Sequence, residues 1–201
     1  MKFVSHLDMT RFMSRLITKS KIPVWYTEGF NQHVYMNFAL PLSLGFEGLY
    51  EVMDFRLNDE NYDLELCLEQ MKKVSPPDIE FFAISEPKTP MKEIGWADFT
   101  LAFEEKDSDI LRDIEKFLSQ ESILCEKTGK KGKVKQIDLI PKISAFSSNG
   151  NELTLRLIAG TEDNLNPSLV MTAFFEQTNT EPIFYSVKRT AILDKNLNTF
   201  I

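Results

Sequence analysis

The chain has 201 residues, of which 43% are hydrophobic and 26% are charged, the composition of an ordinary globular protein with one large domain or two small ones. No apolar run approaches the roughly 20 residues that a membrane-spanning helix needs, and the first residues lack the apolar core of a signal peptide. With only two cysteines, Cys67 and Cys125, the sequence predicts a cytoplasmic protein with free thiols and no contact with a membrane.

The net charge of −7 is unevenly distributed along the chain. Residues 1–38 and residues 126–142 carry more lysine and arginine than acid, whereas residues 47–121 are strongly acidic. The two basic segments could form one face that attracts a polyanion, or they could be two separate solvated patches. We expect Arg11 and Arg15 to share a face with the cationic loop at residues 127–133.

An amphipathic helix is predicted to begin after Ser5. Ser5 is a suitable N-cap, and Asp8 follows three residues later as an imperfect capping box. Arg11 and Arg15 lie four residues apart and form a basic ridge, while His6 lies toward the apolar side. The apolar positions follow helical spacing, and they are Met9, Phe12, Met13, Leu16 and Ile17.

Several strands and a second helix are predicted in the rest of the first half. The helix covers residues 64–71, and the strands cover residues 1–4, 24–27, 35–40, 50–57 and 79–84. Asn31 and His33 follow a turn at Gly29, where polar side chains have little packing value, so they are candidates for recognition. Phe30 and Phe38 are expected to pack in the core.

The β-α-β-β-α-β order recurs after a proline-containing linker candidate at residues 86–95. Helices are predicted to begin at Asp107 or Ser108 and at Asn166, which precedes a proline. The strands are predicted at residues 99–103, 123–125, 134–143, 152–158 and 183–193. We therefore expect an α+β protein made of two tandem ferredoxin-like units, residues 1–86 and residues 96–201, whose sheets are mostly antiparallel.

Three spaced motifs resemble the signature of the radical SAM-linked protein family. They are Ser5-His6-Leu7-Asp8 with Arg11, the Gly29–Gly45 stretch with Asn31, His33, Phe38 and Pro41, and the Lys135–Pro141 segment after the basic loop. The resemblance implies a stand-alone relative of a domain found fused to or beside cobalamin-binding radical SAM enzymes. It therefore implies a radical SAM protein as partner, in a family with no established reaction. The chain departs from the pattern at Tyr35, where relatives tend to carry lysine.

The residues themselves exclude several kinds of chemistry. A radical SAM enzyme needs three closely spaced cysteines for its cluster, and two cysteines 58 positions apart cannot supply them. There is no phosphate-binding glycine loop. His6, His33, Asp8 and Glu28 are a weak set of metal ligands, so no metal and no cofactor is predicted.

The leading hypothesis is a non-catalytic accessory module that acts with a radical SAM partner in RNA modification or processing. One alternative is a metal-independent endoribonuclease with His6 as general base. Another is a protein–protein adaptor whose acidic middle region is the contact surface. The candidate residues for RNA or ligand binding are Ser5, His6, Asp8, Arg11, Arg15, Tyr26, Asn31, His33, Lys130, Lys131, Lys133 and Lys135.

Two local expectations follow. Ser5, His6, Asp8, Asn31 and His33 should converge in one pocket. Residues 1–4 are short for a central strand, which usually has about five or six residues. We therefore expect either that the native reading frame starts before Met1 or that the first sheet has a gap beside residues 2–3.

Overall fold

The computed structural model describes residues 2–107, 109–128, 134–160 and 163–200. These residues form two compact units. The first contains residues 2–47 and 51–90, and the second contains residues 48–50 and 91–200. Four α-helices occur among the described residues, and every strand pairing whose register is described is antiparallel, so the protein is of the α+β class.

Helix α1 (His6–Ser20) organises the first unit. It begins as the sequence predicts, because the Oγ of Ser5 accepts a hydrogen bond from the backbone N–H of Asp8 at 3.2 Å. It ends at Lys21, which adopts the left-handed conformation with a φ of 61°. The buried side of α1 joins the core of the unit, which includes Leu16, Ile17, Ile22, Val24, Val34, Cys67 and Met71.

Three short strands follow α1, and a second helix closes the unit. Strand β1 (Met36–Phe38) pairs with β3 (Met53–Phe55). The two-residue strand β2 (Glu47–Gly48) lies between them in the chain and ends at Gly48, which belongs to the second unit. Helix α2 (Leu64–Val74) is capped by Asp63, whose carboxylate accepts from two backbone N–H groups.

Several strands predicted for the first unit are wrong. Residues 2–4 and residues 79–84 contain no strand, and residues 24–27 make only isolated bridges, from Val24 to Leu57 and from Tyr26 to Val34. The apolar pattern of residues 79–84 instead reflects Phe81 and Ile84 packing on the core. The tandem ferredoxin-like arrangement is therefore not confirmed.

The second unit is built on a longer sheet. Its elements are β4 (Ile94–Phe103), α3 (Ile110–Leu118), β5 (Leu124–Thr128), β6 (Val134–Asp138), β7 (Ile143–Asn149), β8 (Glu152–Ile158), α4 (Pro167–Thr178) and β9 (Tyr185–Asp194). The strand order is β2-β9-β4-β8-β7, and β5 with β6 forms a separate hairpin. Short 3-10 turns lie at Met91–Glu93, Glu105–Asp107 and Ile140–Lys142.

Alternation along β4 and β8 gives the sheet one buried face. The side chains on that face are fully or nearly buried, as are the inward residues of α3 and α4, and the strand residues are Ala97, Phe99, Leu101, Leu153, Leu155 and Leu157. Strand β4 begins five residues before the predicted strand and includes the end of the linker candidate. Gly95 permits this, because a Cβ there would lie 2.8 Å from the Cα of Lys195.

In the second unit the sequence predicts the start of α4 correctly but not the start of α3. Asn166 caps α4, since its Oδ1 accepts from the N–H of Ser168 at 2.8 Å and Pro167 is the first helical residue. Helix α3 instead starts after Asp109, whose side chain makes no capping hydrogen bond. The predicted cap Asp107 belongs to a 3-10 turn, and Ser108 lies outside the described residues.

Candidate functional site

A cleft of about 450 Å³ lies in the first unit, between α1 and the chain that leads into β1. One wall is a single face of α1, because residues 10, 11, 14 and 15 repeat with the spacing of one helical turn. The other wall comes from residues 33–36, and Val34 is buried. The lining residues are Thr10, Arg11, Ser14, Arg15, His33, Val34 and Met36.

The cleft is cationic. Arg11 and Arg15 are both exposed and lie one turn apart. The Nη1 of Arg11 is 3.5 Å from the Oδ1 of Asp8, but both side chains are about 60% exposed, so this ion pair contributes little. Arg15 has no ion pair with any residue that the structure describes. The guanidinium of Arg15 is therefore available to an anionic ligand.

His33 adds an imidazole whose orientation is fixed by two contacts. Its Nδ1 lies 3.1 Å from the carbonyl oxygen of Asn31 and 3.1 Å from the Oγ1 of Thr27. A carbonyl oxygen can only accept, so the hydrogen bond to Asn31 requires a proton on Nδ1. With that proton on Nδ1 of the neutral ring, Nε2 carries the lone pair and can accept a hydrogen bond.

A hairpin-like pair of segments presents His33. The N–H of Thr27 donates to the carbonyl oxygen of His33 at 2.8 Å, and the N–H of Tyr35 donates to the carbonyl oxygen of Trp25 at 3.0 Å. The rings of Trp25 and Tyr35 also meet edge-on at 5.5 Å. These contacts hold residues 28–32 as a projecting tip, in which Gly29 has a φ of 117° that favours glycine.

Phe30 lies in that tip and is fully exposed, with a relative accessibility of 109%. The expectation that Phe30 packs in the core is therefore wrong, because a residue at the end of a projecting turn has no neighbouring layer to pack against. Phe38 is half-buried, and its ring contacts that of His6 at a centroid distance of 5.4 Å.

The helix start forms a separate polar cluster. The hydroxyl of Ser5 donates to the Oδ2 of Asp8 at 2.7 Å, and the exposed ring of His6 rests against Phe38. The hydroxyl of Tyr26 lies 3.3 Å from the Oγ1 of Thr18. Of the predicted site residues in the first unit, the cleft brings together Arg11, Arg15 and His33, and its lining does not include Ser5, His6, Asp8, Tyr26 or Asn31.

The predicted lysines lie in the second unit or outside the described residues. Lys130, Lys131 and Lys133 are in the part of the chain that the structure does not describe. Lys135 is exposed on β6, directly opposite Lys127 on β5. The Nζ of Lys127 donates to the carbonyl oxygen of Asn164 at 2.6 Å.

Sequence reasoning missed two hydroxyl residues of the cleft, Thr10 and Ser14. Each directly precedes one of the two arginines, so Thr10 and Ser14 are also four residues apart. The helical spacing that predicted the basic ridge therefore predicts that they lie on the same face of α1. The Oγ1 of Thr10 donates to the carbonyl oxygen of His6 at 2.9 Å, which leaves that oxygen as an acceptor.

The described residues contain no group of three or more His, Cys, Asp or Glu side chains that could hold a metal ion. Within the same residues no helix has the length and apolar character to cross a membrane. Burial raises the pKa of the Cys67 thiol to about 11, so this thiol stays protonated at neutral pH and offers no nucleophile.

These features define an α+β protein whose first unit carries a cationic cleft beside an exposed aromatic tip. The model of a family of uncharacterised proteins conserved in bacteria (DUF2344) matches residues 1–167, and the chain belongs to this family. The family description states no reaction and no partner. Neither a curated protein nor a solved structure matches the chain significantly.

Proposed function

We propose that this protein is a non-catalytic RNA-binding module that acts with a radical SAM protein. The observation that carries the RNA part is the placement of Arg11 and Arg15 beside His33 in one cleft. Guanidinium groups present planar sets of donors that match phosphate oxygens, and phosphate contacts supply most of the affinity in nucleic-acid binding.

The remaining lining of the cleft favours RNA over a free anion. The volume of about 450 Å³ is that of a small-ligand site and exceeds what a single phosphate fills. The Oγ1 of Thr10 is left as an acceptor, and Nε2 of neutral His33 is a second acceptor. A ribose 2′-hydroxyl is a donor that such acceptors can bind, whereas DNA lacks this group.

The radical SAM partner is supported by the motif resemblance at residues 5–11, 29–45 and 135–141. Affinity capture of the tagged protein from its native cell tests this part. We expect a radical SAM protein among the captured proteins. Capture of RNA without any such protein would remove the partner from the proposal and leave the RNA-binding role.

We also propose that the second unit is ferredoxin-like. Its sheet order β9-β4-β8-β7 and its two helices support this assignment, with the β5–β6 hairpin as an insertion. The fold carries no functional argument, because the same architecture serves many unrelated functions.

Binding of a labelled RNA measured by fluorescence anisotropy tests the proposed site. We expect the double variant Arg11→Gln/Arg15→Gln to bind at least about tenfold more weakly, because hydrogen bonds to charged groups contribute about 1.5–3 kcal/mol each. The matched control is Lys72→Gln/Lys73→Gln, which removes the same charge from exposed positions of α2 in the same unit.

The control should bind as tightly as the natural protein. If both double variants lose affinity equally, the cleft is not the binding site and only the general charge matters. If the natural protein binds no RNA at all, the RNA hypothesis is rejected and the adaptor role is favoured.

A metal-independent endoribonuclease is the second candidate, and the observation that favours it is His33 among cationic groups. His6, the base expected from the sequence, rests against Phe38 and does not line the cleft. Incubation with total RNA in a chelator should then show cleavage that His33→Ala abolishes. Cleavage that persists in His33→Ala, or no cleavage, would exclude this mechanism.

A further inference from the structure

Phe30 is the most exposed large apolar side chain among the described residues, and it belongs to the same chain segment as the cleft. The tip around it is held in place by hydrogen bonds between Thr27 and His33. The ring is therefore presented to solvent by a fixed backbone. Single exposed apolar residues are common on protein surfaces, so a role for Phe30 has to follow from the groups around it.

The tip is joined to the wall of the cleft at His33. The carbonyl oxygen of Asn31, the residue after Phe30, is 3.1 Å from the Nδ1 of His33, which lines the cleft. A strand with a phosphate at Arg11 and Arg15 would reach Phe30 by following the chain segment from His33 through Asn31. Electrostatic contacts to the backbone combined with aromatic stacking of bases are the usual features of single-strand binding.

The two residues after Phe30 can contact the edge of such a base. The side-chain amides of Asn31 and Gln32 are exposed, and neither makes a hydrogen bond to a residue that the structure describes. An amide offers both a donor and an acceptor, which suits the Watson–Crick edge of an unpaired base. In a duplex the Watson–Crick edge is paired and the base faces are stacked on each other. The amides could then not reach the edge, and Phe30 could not reach a base face.

We infer that the ligand of this site is single-stranded RNA and that an unpaired base stacks on Phe30. This inference rests on the proposed RNA-binding function and adds the class of RNA to it. Phe30 then selects single strands over duplexes, while the arginines supply affinity for the phosphates of either form.

The experiment compares binding of a labelled single-stranded RNA of about 12 nucleotides with binding of the same sequence as a duplex. We expect Phe30→Ala to weaken single-strand binding about 5- to 150-fold and to leave duplex binding unchanged. Phe30→Leu keeps apolar bulk without a flat ring, so it should behave as Phe30→Ala. Phe30→Trp should retain affinity, and RNA should quench the fluorescence of the added tryptophan.

The matched control is Phe184→Ala, which removes another exposed phenylalanine, 72% accessible, from the second unit. It should bind both RNAs as the natural protein does. If Phe30→Ala binds single strands normally while Arg11→Gln/Arg15→Gln does not, stacking is refuted and the proposed function stands. If Phe30→Leu binds normally, the ring is an apolar contact and stacking is again refuted. If the natural protein binds neither RNA, both the inference and the proposed function fail.

Discussion

Asp138 shows how one carboxylate fixes a local chain path in the second unit. It accepts hydrogen bonds from the N–H of Ile123 at 3.0 Å, from the N–H of Ile140 at 3.1 Å and from the hydroxyl of Ser122 at 2.9 Å. The backbone hydrogen bond from Ile123 is the main cause that holds the pKa of Asp138 below its usual value of 3.8. These bonds join the end of the β5–β6 hairpin to the chain before it.

The lowered pKa of Asp138 gives a prediction with a definite sign. A group whose pKa is lower in the folded state stabilises the fold above its unfolded pKa, and this stabilisation is lost as the pH falls through the folded pKa. Asp138→Asn keeps the shape but removes the charge. We expect its loss of unfolding free energy to be constant above about pH 5 and to shrink below about pH 4, measured by urea unfolding across this range.

Asp109→Asn is the control for Asp138→Asn, because the side chain of Asp109 makes no capping hydrogen bond. Its effect on the unfolding free energy should be small at every pH. A loss in Asp138→Asn that stays the same down to pH values well below 3.8 would contradict the assignment of the lowered pKa.

At the scale of elements, one ion pair joins the two central strands β4 and β8. Asp98 and Arg156 are opposite each other in the register, and two hydrogen bonds connect them, from Nε to Oδ1 at 2.7 Å and from Nη2 to Oδ2 at 2.8 Å. Both side chains are largely buried, at 17% and 31% exposure, so water competes weakly with this bidentate contact.

Arg156→Lys keeps the charge but cannot form the two parallel hydrogen bonds. We expect it to lower the unfolding free energy by about 1–2 kcal/mol, measured by urea unfolding at neutral pH. Arg112→Lys, at an exposed position of α3, serves as the control and should change the stability by less than about 0.5 kcal/mol. Equal stability of the two variants would mean that the bidentate geometry contributes nothing.

Local signals account for the elements that the sequence predicts well. The Ser5 and Asn166 caps both depend on residues close together in the chain. The predicted strands at residues 35–40 and 50–57 contain β1 and β3, whereas the strand predicted at residues 79–84 is absent, because its apolar residues pack on the core and do not pair with another strand. The predicted start of α3 at Asp107 or Ser108 is wrong. Helix α3 begins after Asp109, and no distinctive sequence pattern marks that residue as the helix start.

The candidate site also has parts that the sequence predicts and parts that it does not. Helical spacing alone places Arg11 and Arg15 on one face, so this part is readable from the sequence. His33 joins them only because the segment before β1 folds back onto α1, which is a tertiary event. The exposure of Phe30 also depends on how far the tip projects, and no local pattern in the sequence determines that distance.

At the scale of the whole molecule, the acidity of the chain repels a nucleic acid, whereas the cationic cleft attracts its phosphates. The net charge of −7 disfavours general attraction of a nucleic acid. In the proposed function, affinity comes from local phosphate contacts in the first unit, and the number of those contacts determines how steeply affinity falls with salt. A change in this salt dependence when cleft residues are replaced shows whether the cleft makes those contacts.

The most direct test measures single-stranded RNA affinity over a series of salt concentrations for the natural protein and for Arg11→Gln/Arg15→Gln. Each phosphate contact contributes a slope of about −0.7 to log affinity against log salt, so losing two contacts should make the slope less steep by about 1.4. Lys72→Gln/Lys73→Gln should keep the slope of the natural protein. Identical slopes for the natural protein and the arginine variant would contradict the claim that the cleft binds RNA.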